Sequence, residues 1–226
     1  IDDPVRTPLF NRDVFDLVVE CDAPLLTSAP ETGGPDALAE HVAALIRDGD
    51  ALQVGIGKLP AALLPRLKDR KNLRSRSGFY ADAMLDLLDA GALNPNETMQ
   101  AGAALGTAAL YARLAAEKPA HFAPIPRTHG PFDLAMIDRF VSINAALEVD
   151  LFGQVNSEFL NSEQVSGLGG ALDFTRGARA SRNGRAIIAL SSEAGGRTRI
   201  VPKLDLVSIP RSETDIVVTE HGAAHI

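Results

Sequence analysis

Tryptophan is absent from this 226-residue sequence, aromatic residues make up only 5% of it, and Cys21 is the one cysteine. A single cysteine excludes an intrachain disulfide and is typical of proteins in a reducing compartment, so we expect a cytoplasmic location. The five histidines show no metal-ligand spacing, and with one cysteine no zinc site is expected. The scarcity of aromatic residues means that Ala, Leu, Val and Ile have to build most of the core.

No apolar run approaches the ~20 residues needed to span a bilayer, and the acidic start of the chain does not resemble a signal peptide. The net charge of −7 argues against nonspecific binding of nucleic acid. The one basic run, residues 68–76, is interpreted as a solvated helix end and loop, with attraction of a nucleotide phosphate as the alternative. The chain lacks an initial Met, and we expect it to be a piece of a longer protein.

The pattern of apolar residues predicts two regions. Residues 1–34 are rich in proline and are expected to form a linker and edge segment, in which residues 15–20 could be an edge strand. Residues 35–226 are expected to form one α/β domain, truncated at its end. Helices alternate with short apolar strands in the first half and strands dominate the second, which predicts a largely parallel sheet flanked by helices.

Two glycine-rich segments are the candidate ligand-binding features. Gly55 and Gly57, the first glycine turn, follow a short apolar run and precede a predicted helix, as expected at the carboxyl end of a parallel strand. Residue 60 is proline, so the full dinucleotide-binding motif is absent. Gly167, Gly169 and Gly170, the glycine loop, could approach a ligand closely and direct N–H groups at an anion or oxyanion. The alternative for the glycine loop is a plain tight turn before a helix.

Five ordered motifs resemble the carboxyl-terminal half of the acetyl-CoA hydrolase/transferase family, which includes 4-hydroxybutyrate, acetate and succinyl CoA-transferases. The motifs lie at residues 52–60, 82–91, 142–156, 166–178 and 218–222. The resemblance implies a domain of the NagB/RpiA/CoA-transferase type, the second of two. It also implies an amino-terminal domain on the same or another chain, and a homo-oligomer.

The reaction that the resemblance implies is a two-step exchange. A glutamate attacks an acyl-CoA thioester, an enzyme–CoA thioester forms, and a second carboxylic acid then takes the CoA. Coenzyme A is therefore expected as part of the substrate, with no permanently bound cofactor. The first glycine turn and the glycine loop are the residues expected to bind it.

The sequence departs from the family at the nucleophile. Alignment on Leu73 and Asp82 places Gly78 where the family has its glutamate, and Asp and Glu are both absent between Asp69 and Asp82. Glycine has no side chain and cannot form the covalent intermediate. Two hypotheses follow: an acyl-CoA transferase or hydrolase that works without this glutamate, or a non-catalytic CoA-binding, regulatory or structural subunit with the same fold.

Asn144 and Glu220 lie in retained motifs and are the candidate catalytic residues. Asn144 could orient a thioester or a water molecule, and Glu220 could activate that water. The alternatives are that Asn144 satisfies backbone groups at a strand end and that Glu220 forms a structural ion pair. Glu148 and Asp150 alternate with apolar residues and are expected to be solvent-facing or ion-paired positions on a strand.

Overall fold

The structure, a computed structural model, describes residues 11–31, 33–34, 36–117, 119–161 and 163–226. Its centre is a six-stranded sheet with strand order β17-β16-β12-β7-β1-β2. All neighbouring pairs in it are parallel except β16 and β17. These strands are β1 (Ala51–Val54), β2 (Arg74–Ser75), β7 (Phe140–Ala145), β12 (Arg185–Ala189), β16 (Ile216–Thr219) and β17 (Gly222–His225).

Seven α-helices and several short strand pairs surround this sheet in the part of the chain that the structure describes. The helices are α1 (Asp36–Ala44), α2 (Lys58–Leu63), α3 (Ala83–Asp89), α4 (Ala108–Glu117), α5 (Ile125–Thr128), α6 (Pro131–Ala135) and α7 (Ala171–Ala180). The shorter strands are β3 (Phe79–Tyr80), β4 (Met99–Ala101), β5 (Ala103–Ala104), β6 (Ala120–Phe122), β8 (Glu148–Asp150), β9 (Val155–Asn156), β10 (Phe159–Leu160), β11 (Glu163–Gln164), β13 (Glu193–Ala194), β14 (Arg197–Thr198) and β15 (Ile200–Val201). The α/β fold with a largely parallel sheet is confirmed.

Both faces of the central sheet are covered, as a parallel sheet requires. Alternate side chains of β7 enter different cores: Val141 and Ile143 join the large core with α1 and α2, whereas Phe140 joins Leu134 and Phe174. This alternation follows from the two-residue period of a strand. The second core fixes α6 and α7 on one face of the sheet, and α7 is the helix that follows the glycine loop.

Residues 15–20 form no strand, and the edge strand expected there is wrong. The described part of this region contains one 3-10 turn, Arg12–Val14, and is otherwise irregular. Its later part contacts the domain, since Ser28 N donates to Gly106 O at 3.0 Å and Tyr111 Oη donates to Leu26 O at 2.9 Å. None of the described helices is both long and apolar enough to cross a membrane.

The basic run at residues 68–76 has structural partners. Arg70 donates to Ala43 O, in the last turn of α1, and to Ile46 O just after it, and Arg76 pairs with Glu97 at 2.8 Å. Carbonyl groups at a helix end lack partners within the helix and carry partial negative charge, so a guanidinium is stabilising there. These contacts support the reading of this run as a helix end and loop.

Asp150 differs from its expected position, because it is neither solvent-facing nor ion-paired with any residue that the structure describes. It is 3% exposed and accepts hydrogen bonds from the N–H groups of Phe152, Gln154 and Leu204 and from the Gln154 side chain. Burial raises the pKa of this carboxyl, but the hydrogen bonds favour the charged form more strongly, so its net pKa is lowered. Asp150 closes the turn between β8 and β9.

We expect the Asp150→Asn variant to lose about 2 kcal/mol of the free energy of unfolding at neutral pH, because an amide opposes N–H groups with a donor. The pKa of Asp150 is lower in the folded than in the unfolded chain, so its contribution is present above the unfolded value of about 4. It is lost as the pH falls through the folded value. Urea unfolding at several pH values measures this, and equal stability of both proteins at neutral pH would contradict it.

Candidate functional site

The candidate site lies at the carboxyl ends of the parallel strands, where open α/β sheets bind ligands. The first glycine turn follows β1, and residues 76–78 follow β2, the neighbouring strand. Ser77 joins the two segments: its Oγ accepts from Val54 N at 3.2 Å and donates to Val54 O at 2.6 Å. Gly78, the position that the family resemblance assigns to the nucleophile, therefore lies beside the first glycine turn.

A cavity of about 360 Å³ lies next to these two segments. It is lined by Gly55 and Gly57, by Ser77 and Phe79 on either side of Gly78, and by residues 28–31. Sites for small molecules have volumes that start near this value. Part of the segment expected to be a linker thus forms a wall of the cavity.

The backbone of the first glycine turn faces open space. A Cβ built on Gly55 or Gly57 would have no described heavy atom within 4 Å, and Gly57 has a φ of +110° that only glycine adopts readily. Gly55 is exposed and Gly57 is partly exposed. A ligand can therefore approach this backbone without meeting a side chain.

The glycine loop approaches Gly78 from α7. Gly167 and Gly169 face open space, and Gly169 has a φ of +56°. Gly170 is instead covered by two rings: a Cβ there would lie 2.5 Å from Nε2 of His129 and 2.8 Å from Cε2 of Phe174. Glycine is therefore required at position 170 for the His129 imidazole to occupy its place.

His129 connects the glycine loop with Gly78. A Cβ built on Gly78 would lie 3.3 Å from Nε2 of His129, and the His129 and Phe174 ring centroids are 4.5 Å apart. The other ring nitrogen, Nδ1, is 2.7 Å from Thr128 Oγ1. Burial lowers the pKa of His129, with Asp173 acting in the opposite direction, which favours the neutral imidazole.

Asn144 is at the same edge of the sheet but belongs to a hydrogen-bonded group of its own. Its Nδ2 donates to Ser142 Oγ at 2.7 Å, and its amide exchanges hydrogen bonds with the Gln53 amide across β1 and β7. Asn144 is partly exposed, whereas Gln53 and Ser142 are buried. These contacts hold the Asn144 side chain in one orientation at the strand ends.

Glu220 follows β16, which is separated from β7 by β12. Its carboxylate accepts hydrogen bonds from the Ser192 hydroxyl and, at 2.8 Å, from Ser192 N, and His221 Nε2 lies 3.5 Å away. The hydrogen bonds from Ser192 hold the Glu220 pKa below its ordinary value, which makes it a weaker base. None of its described partners belongs to the glycine loop or to the Gly78 segment.

The structure thus brings together the first glycine turn, Gly78 and the glycine loop, and it adds His129, which the sequence pattern did not single out. His129 is isolated in the sequence from both glycine segments, and only its packing against Phe174 of α7 places it between Gly78 and Gly170. The residue pair Asn144 and Glu220 is not joined by any described contact. No group of three or more His, Cys, Asp or Glu residues in the described ranges is arranged to hold a metal ion.

Comparison with known proteins identifies the family. The model of the acetyl-CoA hydrolase/transferase C-terminal domain matches residues 106–226. The chain belongs to this family. It is 40% identical over 225 residues to a 4-hydroxybutyrate coenzyme A transferase of Clostridium kluyveri, an alignment that covers 94% of this chain and 52% of that protein.

Solved structures agree with this assignment and confirm the expected domain type. RipA from Yersinia pestis superposes with a TM-score of 0.83 at 33% identity, covering 93% of this chain and 49% of that one. A 4-hydroxybutyrate CoA-transferase from Porphyromonas gingivalis has a TM-score of 0.80 at 32% identity, covering 92% and 51%. The chain spans about half the length of the relatives that it matches.

Proposed function

We propose that this chain binds a short-chain acyl-CoA thioester at the carboxyl edge of its sheet and takes part in transfer or hydrolysis of the acyl group. The observation that carries the proposal is the position of Gly78, which Ser77 holds beside the first glycine turn and which shares the His129 ring with Gly170 of the glycine loop. Relatives named as CoA-transferases support the choice of substrate class.

The two glycine segments suit the charge and shape of such a ligand. Four of their five glycines expose backbone without a described side chain nearby, so N–H groups can approach phosphate or thioester oxygens. The neighbouring cavity has an apolar wall that includes Leu52 and Phe79, and we assign the acyl chain to it. Its limited volume favours a short chain.

The proposal includes a change of mechanism at position 78. A glycine there excludes a covalent enzyme–CoA thioester on that residue, so the acyl group has to be transferred directly to an acceptor or to water. We retain Asn144 as a group that orients the thioester or the water, because its amide is held at the same strand ends. Glu220 is the weaker candidate, since its carboxylate already accepts two hydrogen bonds from Ser192.

The Gly78→Glu variant tests this assignment. After incubation with acetyl-CoA, we expect intact mass spectrometry to show a covalent CoA adduct on Gly78→Glu and none on the unchanged protein. Gly78→Gln is the matched control, because its side chain has the same size and is not a nucleophile. Calorimetric titration should show that the unchanged protein binds acetyl-CoA.

Two results would contradict the proposal. A CoA adduct on the unchanged protein would mean that another carboxylate acts as the nucleophile, and no binding of acetyl-CoA would exclude the substrate class. The second candidate function is a CoA-binding subunit without chemistry, which the missing carboxylate at Gly78 favours. Binding of acetyl-CoA with no turnover in the full-length protein would establish that second function.

A further inference from the structure

The His129 imidazole borders the space that a side chain at Gly78 would enter. The three described atoms nearest to a Cβ built on Gly78 are Nε2 and Cε1 of His129 and Cε2 of Phe174, at 3.3, 3.4 and 3.6 Å. Gly170 makes room for this ring, because a Cβ there would overlap it, whereas a Cβ on Gly78 would be in tight contact with it. The ring is partly exposed, so a ligand at the glycine segments can reach it.

The hydrogen bonds of Thr128 are compatible with a His129 tautomer in which Nε2 accepts a proton. Thr128 Oγ1 lies 3.4 Å from Ile125 O, which can only accept, and 2.7 Å from His129 Nδ1. When the hydroxyl donates to Ile125 O, Nδ1 carries the proton and donates to Thr128. Nε2 then has the free lone pair, and it makes no hydrogen bond to a described residue.

The surroundings of His129 favour a neutral ring. Phe174 from α7 and the backbone of Gly78 and Gly170 contribute no charge, and Thr128 is neutral. Asp173 on α7 is the charged group that acts on the ring, and it raises the pKa less than burial lowers it. Nearby Arg127 and Asp133 lie 3.4 Å apart and form an ion pair with each other. A neutral imidazole near pH 7 is suited to accept a proton.

We propose that His129 is the general base for hydrolysis of the acyl-CoA thioester, held by Thr128 as its positioning residue. This inference rests on the proposed function, and it decides between the reactions named there in favour of transfer to water. No residue of the chain becomes acylated in this mechanism, so Gly78 is compatible with catalysis.

The reaction balances with water as the only co-reactant. Nε2 takes a proton from a water molecule while the water oxygen forms a bond to the thioester carbonyl carbon. The tetrahedral intermediate carries negative charge on its oxygen, for which the glycine loop offers backbone N–H groups. The C–S bond then breaks, the imidazolium returns its proton to the sulfur, and a carboxylic acid and the thiol of coenzyme A are released.

The test compares steady-state hydrolysis of acetyl-CoA by the full-length protein with that of His129→Gln and of the control His41→Gln. His41 lies on α1, outside the candidate site. We expect His129→Gln to lower kcat by about 100-fold or more, the usual contribution of a general base, with the Kd for acetyl-CoA changed less than about threefold. His41→Gln should leave both values unchanged, and Thr128→Val should lower kcat with little effect on binding.

The pH profile of the unchanged protein gives a second measurement that needs no variant. We expect kcat to fall as the pH is lowered through an apparent pKa below the ordinary histidine value of about 6.5, because protonated Nε2 cannot accept a proton. A kcat that is independent of pH from about 5 to 8 would overturn the role of His129.

The outcomes separate this inference from the proposed function. Hydrolysis by His129→Gln at the rate of the unchanged protein overturns the inference and leaves thioester hydrolysis in place. Binding of acetyl-CoA by the unchanged protein without hydrolysis overturns the inference and leaves CoA binding in place. Absence of binding overturns both.

Discussion

Replacing Asp50 with alanine is expected to lower the free energy of unfolding by about 3–5 kcal/mol. Asp50 is fully buried just before β1, and its carboxylate pairs with Arg185 and, at 3.2 Å, with Arg139. It also accepts from Arg47 N at 2.7 Å. Arg185 begins β12, Arg139 directly precedes β7, and Asp50 itself directly precedes β1. One carboxylate therefore links three neighbouring strands at the amino edge of the sheet, opposite the candidate site.

The cost comes mainly from the charge that remains. Only 13% of the Arg185 side chain is exposed, and burial already lowers its pKa while Asp50 raises it. Without Asp50 the Arg185 guanidinium remains poorly solvated and loses the carboxylate that balances its charge. An uncompensated buried charge of this kind lowers the free energy of unfolding strongly. Adding Arg185→Leu to the Asp50→Ala variant should therefore recover part of the lost stability.

A surface pair at the same edge provides the matched control. Asp138 and Arg182 pair with each other, but their side chains are 47% and 76% exposed, so Asp138→Ala should cost much less stability than Asp50→Ala. Urea denaturation monitored by circular dichroism measures all of these variants. A loss below about 1 kcal/mol for Asp50→Ala would show that this carboxylate is not a structural clamp.

The Gly170→Ala variant is expected to lose about 2–3 kcal/mol of stability, because the added methyl group overlaps the rings of His129 and Phe174. Phe174 belongs to α7, and its ring is buried in the core between this helix and the sheet, so the ring has little room to move. If His129 is the general base, displacement of its ring should also reduce acetyl-CoA hydrolysis to the level of His129→Gln. Thermal unfolding and steady-state hydrolysis measure the two effects.

Gly167→Ala is the control within the same loop. A Cβ there meets no described atom within 4 Å, and Gly167 has no positive φ, so stability should change by less than about 0.5 kcal/mol. If Gly167→Ala and Gly170→Ala had the same stability and the same rate of acetyl-CoA hydrolysis, the ring contacts of Gly170 would not constrain this site.

Local signals predicted the elements around the first glycine turn correctly. The short apolar run before the turn is β1 and the helix predicted after it is α2, because burial of such runs is a property of short segments. Residues 15–20 have an apolar pattern too, but a strand needs a partner. The central sheet ends at β2 on one side and at the antiparallel strand β17 on the other, and residues 15–20 form no ladder with either edge.

Asp150 shows a second limit of local patterns. Alternation with apolar neighbours placed it on a strand correctly, but its contacts come from Leu204 and from the turn at Phe152 and Gln154. The N–H group of Leu204 lies 54 residues further along the chain, so this part of the carboxylate's environment has no signature in the segment around Asp150.

The sequence by itself determined the family, the parallel α/β fold, both glycine segments and the absence of a carboxylate near Gly78, because each depends on residue identity within a continuous segment. Only the tertiary structure decided what stands beside Gly78. Along the sequence, His129 is about fifty residues from Gly78 and about forty from Gly170. The packing of α7 against the sheet brings all three residues together in space. Contacts of this kind arise from the mutual burial of helices and strands, so no single segment encodes them.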